Sequence, residues 1–282
     1  MSSPASRPLE GRTLIMSGGS RGIGEAIAIA AAKRGANVAL IAKTVEPHPK
    51  LPGTIHTAAA AIEAAGGQAL PIIGDIRDDA SVADAVAQTV ERFGGIDIVV
   101  NNASALDLTS SDRISMKKYD LMQDINARGT FSLSTACIPH LRKSSNAHIV
   151  TLSPPLDLDP KWFAEIGTAY TISKFSMSLV TIGLAAELAG DGIAVNSLWP
   201  RTTINTAAVR NILSTELVDR SRTPEIMADA AMSIVTKPAS HATGQCYIDD
   251  EVLRADGITD FDRYRVAPDS GELELDFWMT WN

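Results

Sequence analysis

Cysteine is scarce in this 282-residue sequence: only Cys137 and Cys246 occur, far apart and each inside an apolar run. Two isolated thiols exclude a disulfide scaffold and point to a reduced, cytoplasmic protein. Aromatic residues make up 5%, and no stretch holds the ~18 uninterrupted apolar residues of a membrane span. Positive charge is in deficit too. Against 33 acidic residues stand 25 Lys and Arg, a formal net charge of -8, which argues against nucleic acid as a partner. The opening MSSPASRPLE lacks the apolar core of a secretion signal, and the closing MTWN matches no peroxisomal or lipidation signal. His48, His56, His140, His148 and His241 do not cluster with ligand spacing, so no metal site is expected. No Gly/Ser-rich or Pro-rich linker divides the chain. Residues 1–282 therefore read as one domain, with about 253–282 as a tail packed on it.

What is present is a repeated alternation. Apolar runs at 13–17, 37–42, 69–74, 96–100, 148–152, 194–198 and 245–248 alternate with helical stretches. The longest helical stretches run from about 111 to 141 and from 169 to 189. Continuous apolar strands separated by helices predict an α/β fold: one doubly wound, seven-stranded parallel sheet with helices on both faces.

Directly after the first strand comes SGGSRGIG at 17–24. Between a strand and a helix such a loop has a physical use. Gly18 permits a tight turn, Gly22 lets backbone approach a pyrophosphate, and Gly24 lets the helix pack against the sheet. The helix start then offers free N–H groups to phosphate, with Ser17, Ser20, Arg21 and Ile23 around it. At the end of the second strand a carboxylate would bind the 2′-hydroxyl of NAD(H). This chain has Ala42, Lys43 and Thr44 there, and Arg21 adds a second cation. Two cations suit a 2′-phosphate, so NADP(H) is expected ahead of NAD(H), unless Lys43 is an ordinary solvated lysine.

Over about residues 11–250 the chain resembles the short-chain dehydrogenase/reductase family. The motifs stand in family order: the glycine loop, Asp75, NNAS at 101–104, Asn126, YTISK at 170–174 and VNSLWP at 195–200. The resemblance implies a Rossmann-type sheet and a homodimer or homotetramer. It also implies a small-molecule carbonyl or alcohol substrate. By it Asp75 and Ile76 contact the adenine ring, while Asn101, Asn102 and Ala103 support the sheet beside the coenzyme. Ser104 stands where the family has glycine, crowding the approach to the ribose. Asn126 holds a proton-relay water, and Lys174 also binds the nicotinamide ribose. Three segments, at 43–55, 152–163 and 199–208, narrow the resemblance to a branch whose members continue into a sterol-carrier domain. No such segment follows here, so lipid carriage is not expected.

Tyr170 and Lys174 are four apart on a predicted helix and share one face. A phenol near its ordinary pKa of ~10 exchanges protons poorly at neutral pH, and an adjacent ammonium should draw it down. Tyr170 would pass a proton to the substrate carbonyl as hydride arrives. Two departures stand beside this pair. Pro154 occupies the place of the family's catalytic serine; Ser153 lies one position earlier, and its gap to Tyr170 is long. Either the Pro154-Pro155 kink swings Ser153 inward, or its role is vacant. After the sixth strand Pro200-Arg201 replaces Pro-Gly, which leaves Thr206 one residue out of step for the carboxamide contact. Arg201 either grips an acidic substrate group or forms a surface salt bridge.

Trp162, Phe163, Trp199 and Ile204 fall in the pocket-forming regions, so a sizeable apolar substrate, steroid-like or fatty acyl, is expected; otherwise the tryptophans fill core. Asp249, Asp250 and Glu251 read as a strand end in solvent. The aromatic tail, with Phe261, Tyr264, Phe277, Trp278 and Trp281, should be covered, by the domain's own surface, the pocket mouth or a subunit contact. A coenzyme-binding sensor or scaffold with little turnover is the competing function.

Overall fold

The computed structural model describes residues 7–47, 53–212 and 215–281; His48 and part of the 43–55 segment lie outside them. Strands β1 (Thr13–Ser17), β2 (Asn37–Ala42), β3 (Gln68–Ile73), β4 (Ile98–Asn101), β5 (His148–Thr151), β6 (Ala194–Trp199) and β7 (Cys246–Ile248) form one sheet. All pairs are parallel, in the order β3-β2-β1-β4-β5-β6-β7, the doubly wound arrangement expected.

Around the sheet lie α1 (Gly22–Lys33), α2 (Ile55–Ala64), α3 (Asp79–Phe93), α4 (Met116–Met122), α5 (Gly129–Leu141) and α6 (Pro160–Ile166). They are followed by α7 (Thr168–Glu187), α8 (Ala207–Ile212), α9 (Thr215–Asp219), α10 (Glu225–Thr236) and α11 (Asp249–Ala255). Neighbouring residues of a strand face opposite sides, and both sides are covered. Leu14 and Met16 of β1 pack with Ile27 of α1 and Ile226 of α10. Ile15 between them packs with Val86 of α3, Leu133 of α5 and Leu184 of α7. Burial on both faces is why the strands are unbroken apolar runs instead of alternating ones.

The chain winds outward from β1 in one direction and from β4 in the other. Between those two strands the connections diverge, which opens a crevice at the carboxyl edge of the sheet. The opposite edge holds plain turns. Gly94 ends α3 at φ 87, a left-handed position that glycine adopts without strain. A Cβ added at Gly66, Gly94 or Gly192 would meet no atom within 4 Å.

Two expectations change. The long helix predicted from 111 begins at Met116, and a π-helical turn, Gln123–Arg128, separates α4 from α5. Such wider turns recur at functional sites. The acidic triplet does not end a strand in solvent: it opens α11, with Asp249 and Asp250 buried. The partner sequence reasoning lacked is Arg201, itself buried. Its Nε donates to Asp250 Oδ1 at 2.8 Å, its Nη2 to Glu251, and its backbone N–H to Asp249 Oδ1 at 3.0 Å. Burial pushes the Asp249 carboxyl up to about 6. Arg201 is thus neither a substrate grip nor a surface ion pair.

That cluster fixes the tail. Arg201 Nη1 donates to Thr280 O at 3.2 Å, and the Asp276 N–H donates to Arg201 O at 3.0 Å. Trp199 Nε1 donates to Phe277 O at 3.0 Å. Trp278 and Met279 then join Tyr170, Phe175 and Trp199 in a third apolar cluster at the carboxyl edge. Among the described residues no helix is long and apolar enough to cross a membrane.

Candidate active site

The glycine loop lies at the start of the crevice. Arg21 precedes α1 in extended backbone and gives no side-chain cap, so the first N–H groups of the helix stay open to an anion. The glycines are sterically required. A Cβ at Gly18 or Gly24 would meet Asn102 Nδ2 at 2.5 Å, and one at Gly22 would crowd Thr206 Cγ2 at 3.3 Å. Behind the loop, Ser17 Oγ accepts from the N–H groups of Asn102 and Ala103 at 3.2 and 3.1 Å, locking β1 to the end of β4. Arg21, Gly22 and Thr206 line one stretch of the crevice. Thr206 continues into a second stretch with Ile23, Asn102, Pro200, Tyr170 and Lys174. A dinucleotide fits this course: phosphates at the loop, nicotinamide toward Tyr170.

Tyr170 and Lys174 are both buried. Lys174 Nζ donates to Leu152 O at 2.6 Å and lies 4.9 Å from the centre of the Trp199 ring. Burial brings its ammonium down to about 7, against the pull of the Asp276 carboxylate. The Tyr170 phenol is pushed up, not drawn down as expected. Burial is the main cause and Asp276 adds to it, while hydrogen bonding with Ser104 opposes both. In the chain as folded, the Tyr170 phenol keeps its proton.

The remaining expected residues divide. Asn126 is fully buried by the π-helical turn; its amide exchanges bonds with the Ala105 backbone at 2.7 and 3.0 Å and donates to Ser173 Oγ at 2.9 Å. Its side chain braces the loop after β4 and α7, and it does not line the cavity. Ser153 is not brought to the cavity either. β5 ends at Thr151, and the Ser153 hydroxyl is buried with no hydrogen-bond partner among the described residues. Lys43 Nζ meets Asp75 Oδ2 at 2.7 Å, and Arg77 holds the same oxygen at 2.7 Å. Arg77 chiefly, with Lys43, keeps the Asp75 carboxyl well below the usual range. Ile76 turns into the core, where Gly129 makes room for it. Ser20 is buried, and Arg21 Nη2 donates to Gly53 O at 3.1 Å. Trp199 and Ile204 line the cavity as expected, whereas Trp162 fills core and the half-buried Phe163 packs against the same cluster.

Sequence reasoning missed Asp276. It lines the same cavity as Tyr170 and Lys174, together with Leu275 and Phe277. Phe277 and Trp278 stand against the Tyr170 ring, with centroids 6.4 and 5.9 Å away. The aromatic tail was the available signal, but it named no polar group.

Hydride exchange next to a proton donor is the chemistry such a crevice can hold, which places the chain among the dinucleotide-dependent oxidoreductases. Within that class it belongs to the short chain dehydrogenase family, which it matches over residues 12–217. It is 57% identical over 260 residues to hydroxysteroid dehydrogenase-like protein 2 of Danio rerio, across 92% of this chain and 62% of that protein. To the Homo sapiens protein of the same name it is 49% identical over 276 residues, across 98% and 65%. The chain spans less than two thirds of the length of these relatives. A short chain dehydrogenase structure from Mycobacterium thermoresistibile is 53% identical, with a TM-score of 0.91 over 96% of each chain.

Proposed function

We propose that this chain exchanges hydride between NADP(H) and the carbonyl or alcohol carbon of an apolar substrate. The observation that carries the reading is one cavity of about 280 Å³, walled by Ile23, Leu152, Trp199, Ile204 and Phe277, into which Tyr170 and Lys174 both open beside the glycine loop. The bound dihydronicotinamide would supply the hydride. The chain's own part is the proton. As the carbonyl oxygen gains charge, the Tyr170 O–H bond breaks and its proton moves to that oxygen. The phenolate left behind shares the cavity with Lys174, whose protonated form would stabilise it. Oxidation of an alcohol runs these steps in reverse.

For the coenzyme, Lys43 stands at the end of β2, where an acidic residue would bind a 2′-hydroxyl, and Arg21 lies on the glycine loop. Cations with no carboxylate at that strand end support a 2′-phosphate. For assembly, α5 and α7 leave Phe131 and Leu179 more than half exposed on one side of the sheet. A second copy of the chain covers that face in this reading.

The test follows NADPH absorbance with a panel of apolar ketones. Turnover is expected, and Tyr170→Phe should lower it about a thousandfold or more while leaving coenzyme binding within about twofold. Tighter binding of NADH than NADPH would overturn the coenzyme assignment. The place of Ser153 favours a second reading, a coenzyme-binding sensor with little catalysis. Tight NADPH binding without turnover on any member of the panel would support it.

A further inference from the structure

Asp276 is an acid in an apolar setting with half of its hydrogen-bonding capacity unused. It precedes a tight turn, in which the Met279 N–H donates to Asp276 O at 3.2 Å. Its Oδ1 accepts the Phe277 N–H at 2.8 Å. Its other oxygen has no hydrogen bond and no ion pair among the described residues. The other acid lining the cavity, Glu274, is paired with Arg220 at 3.2 Å. The Asp276 carboxyl lines the same cavity as Tyr170 and Lys174, and its charge acts on both. Its backbone is held through Arg201 O, itself tied to the buried Asp250. A carboxyl fixed this firmly, with one acceptor oxygen left open beside the reacting pair, has the form of a recognition group.

We propose that Asp276 is a specificity-determining residue. Its free oxygen accepts a hydrogen bond from a hydroxyl or amine that the substrate carries next to the reacting carbon. The substrate class is then an apolar ketone or alcohol with a neighbouring donor, and a carboxylate in that position is rejected by like charge. This rests on the hydride-transfer reading above but adds a group that the motifs do not contain. It also gives the open oxygen a partner, which the described residues do not provide.

Three ligands of one skeleton test it: acetophenone, 2-hydroxyacetophenone and phenylglyoxylate. Binding to the coenzyme-loaded protein is followed by quenching of tryptophan fluorescence, since Trp199 and Trp278 lie 5.6 Å apart beside the cavity. This readout needs no turnover; kcat/KM is measured in parallel. Above about pH 7, the value to which burial raises the Asp276 carboxyl, the wild type should bind the hydroxyketone at least about tenfold tighter than acetophenone, the range of a hydrogen bond to a charged group. Phenylglyoxylate should bind weakest. Asp276→Ala should bring the first ratio to within about twofold, and Asp276→Asn, which keeps an acceptor, should retain part of it and admit phenylglyoxylate. Both variants should keep NADPH affinity, which confirms their fold. No hydroxyl preference in the wild type, or a preference that survives in Asp276→Ala, overturns the proposal. If no ketone is reduced but the binding ratios behave as stated, hydride transfer fails and the recognition role of Asp276 stands.

Discussion

At the scale of single residues, the site is built at a cost to stability. Lys174 holds its ammonium in a buried position, where burial lowers it from 10.5 to about 7. For a base with a depressed folded-state value, the unfolded chain binds the proton more readily. Stability is therefore lost as pH falls from 10.5 toward about 7. Replacing the lysine removes that penalty. Lys174→Met is expected to abolish turnover and yet raise stability near neutral pH by about 2 kcal/mol, the loss of the Leu152 and Trp199 contacts offsetting part of a larger gain. Thermal melts of both proteins across that window check it, and the difference should shrink toward the alkaline end. Tyr170 and Lys174 were legible in the sequence because their relation is local: four residues on a helix fix a shared face. The direction of the Tyr170 shift was not legible, since it depends on how deeply distant segments bury the ring. Ser153 was ambiguous for a similar reason, because only the structure shows where β5 stops.

At the scale of elements, the segment from about 270 onward behaves as a wall of the site held by buried charge. Arg201, Arg222, Asp249 and Asp250 lie under it, with Arg201 Nε to Asp250 at 2.8 Å and Arg222 Nη1 at 3.8 Å from the same carboxyl. Removing Arg201 leaves the buried Asp250 with only the longer contacts to Arg222 and Arg254, both at 3.8 Å. Arg201→Met is expected to destabilise the protein by about 3–5 kcal/mol. Ketone binding should weaken before coenzyme binding does, because the wall carrying Asp276 and Phe277 loosens first. Denaturant titration, together with separate affinity measurements for NADPH and ketone, checks this order. From sequence, Asp249-Asp250-Glu251 looked like a solvated strand end, and Arg201 like a surface cation. Each needed the other, and a separation of 48 to 50 positions along the chain hid the match.

At the scale of the whole molecule, the sheet was the most legible part. All seven strands fall where the apolar runs stand, β1 and β2 with the expected bounds and the others with ends moved by at most two residues. Assembly is the property that the isolated chain leaves open, and the exposed apolar side chains of α5 and α7 address it. Changing Phe131 and Leu179 together to Glu is expected to convert a dimer or tetramer into a monomer, as light scattering would show, without disturbing the crevice on the sheet's carboxyl edge.

The parallel sheet also gives the protein a working end and an idle end, a fact of use to anyone who wishes to add something to it. The loops that leave β1, β4 and β6 line the crevice, so a residue inserted there would shift the glycine loop, Asn102 or Pro200 out of place. The glycine turns at Gly66, Gly94 and Gly192 lead into the opposite edge and have open space around them, though the glycines themselves, at positive φ, should be kept. Affinity tags, fluorescent domains or new chain termini belong at those turns, where the chemistry would continue undisturbed behind them.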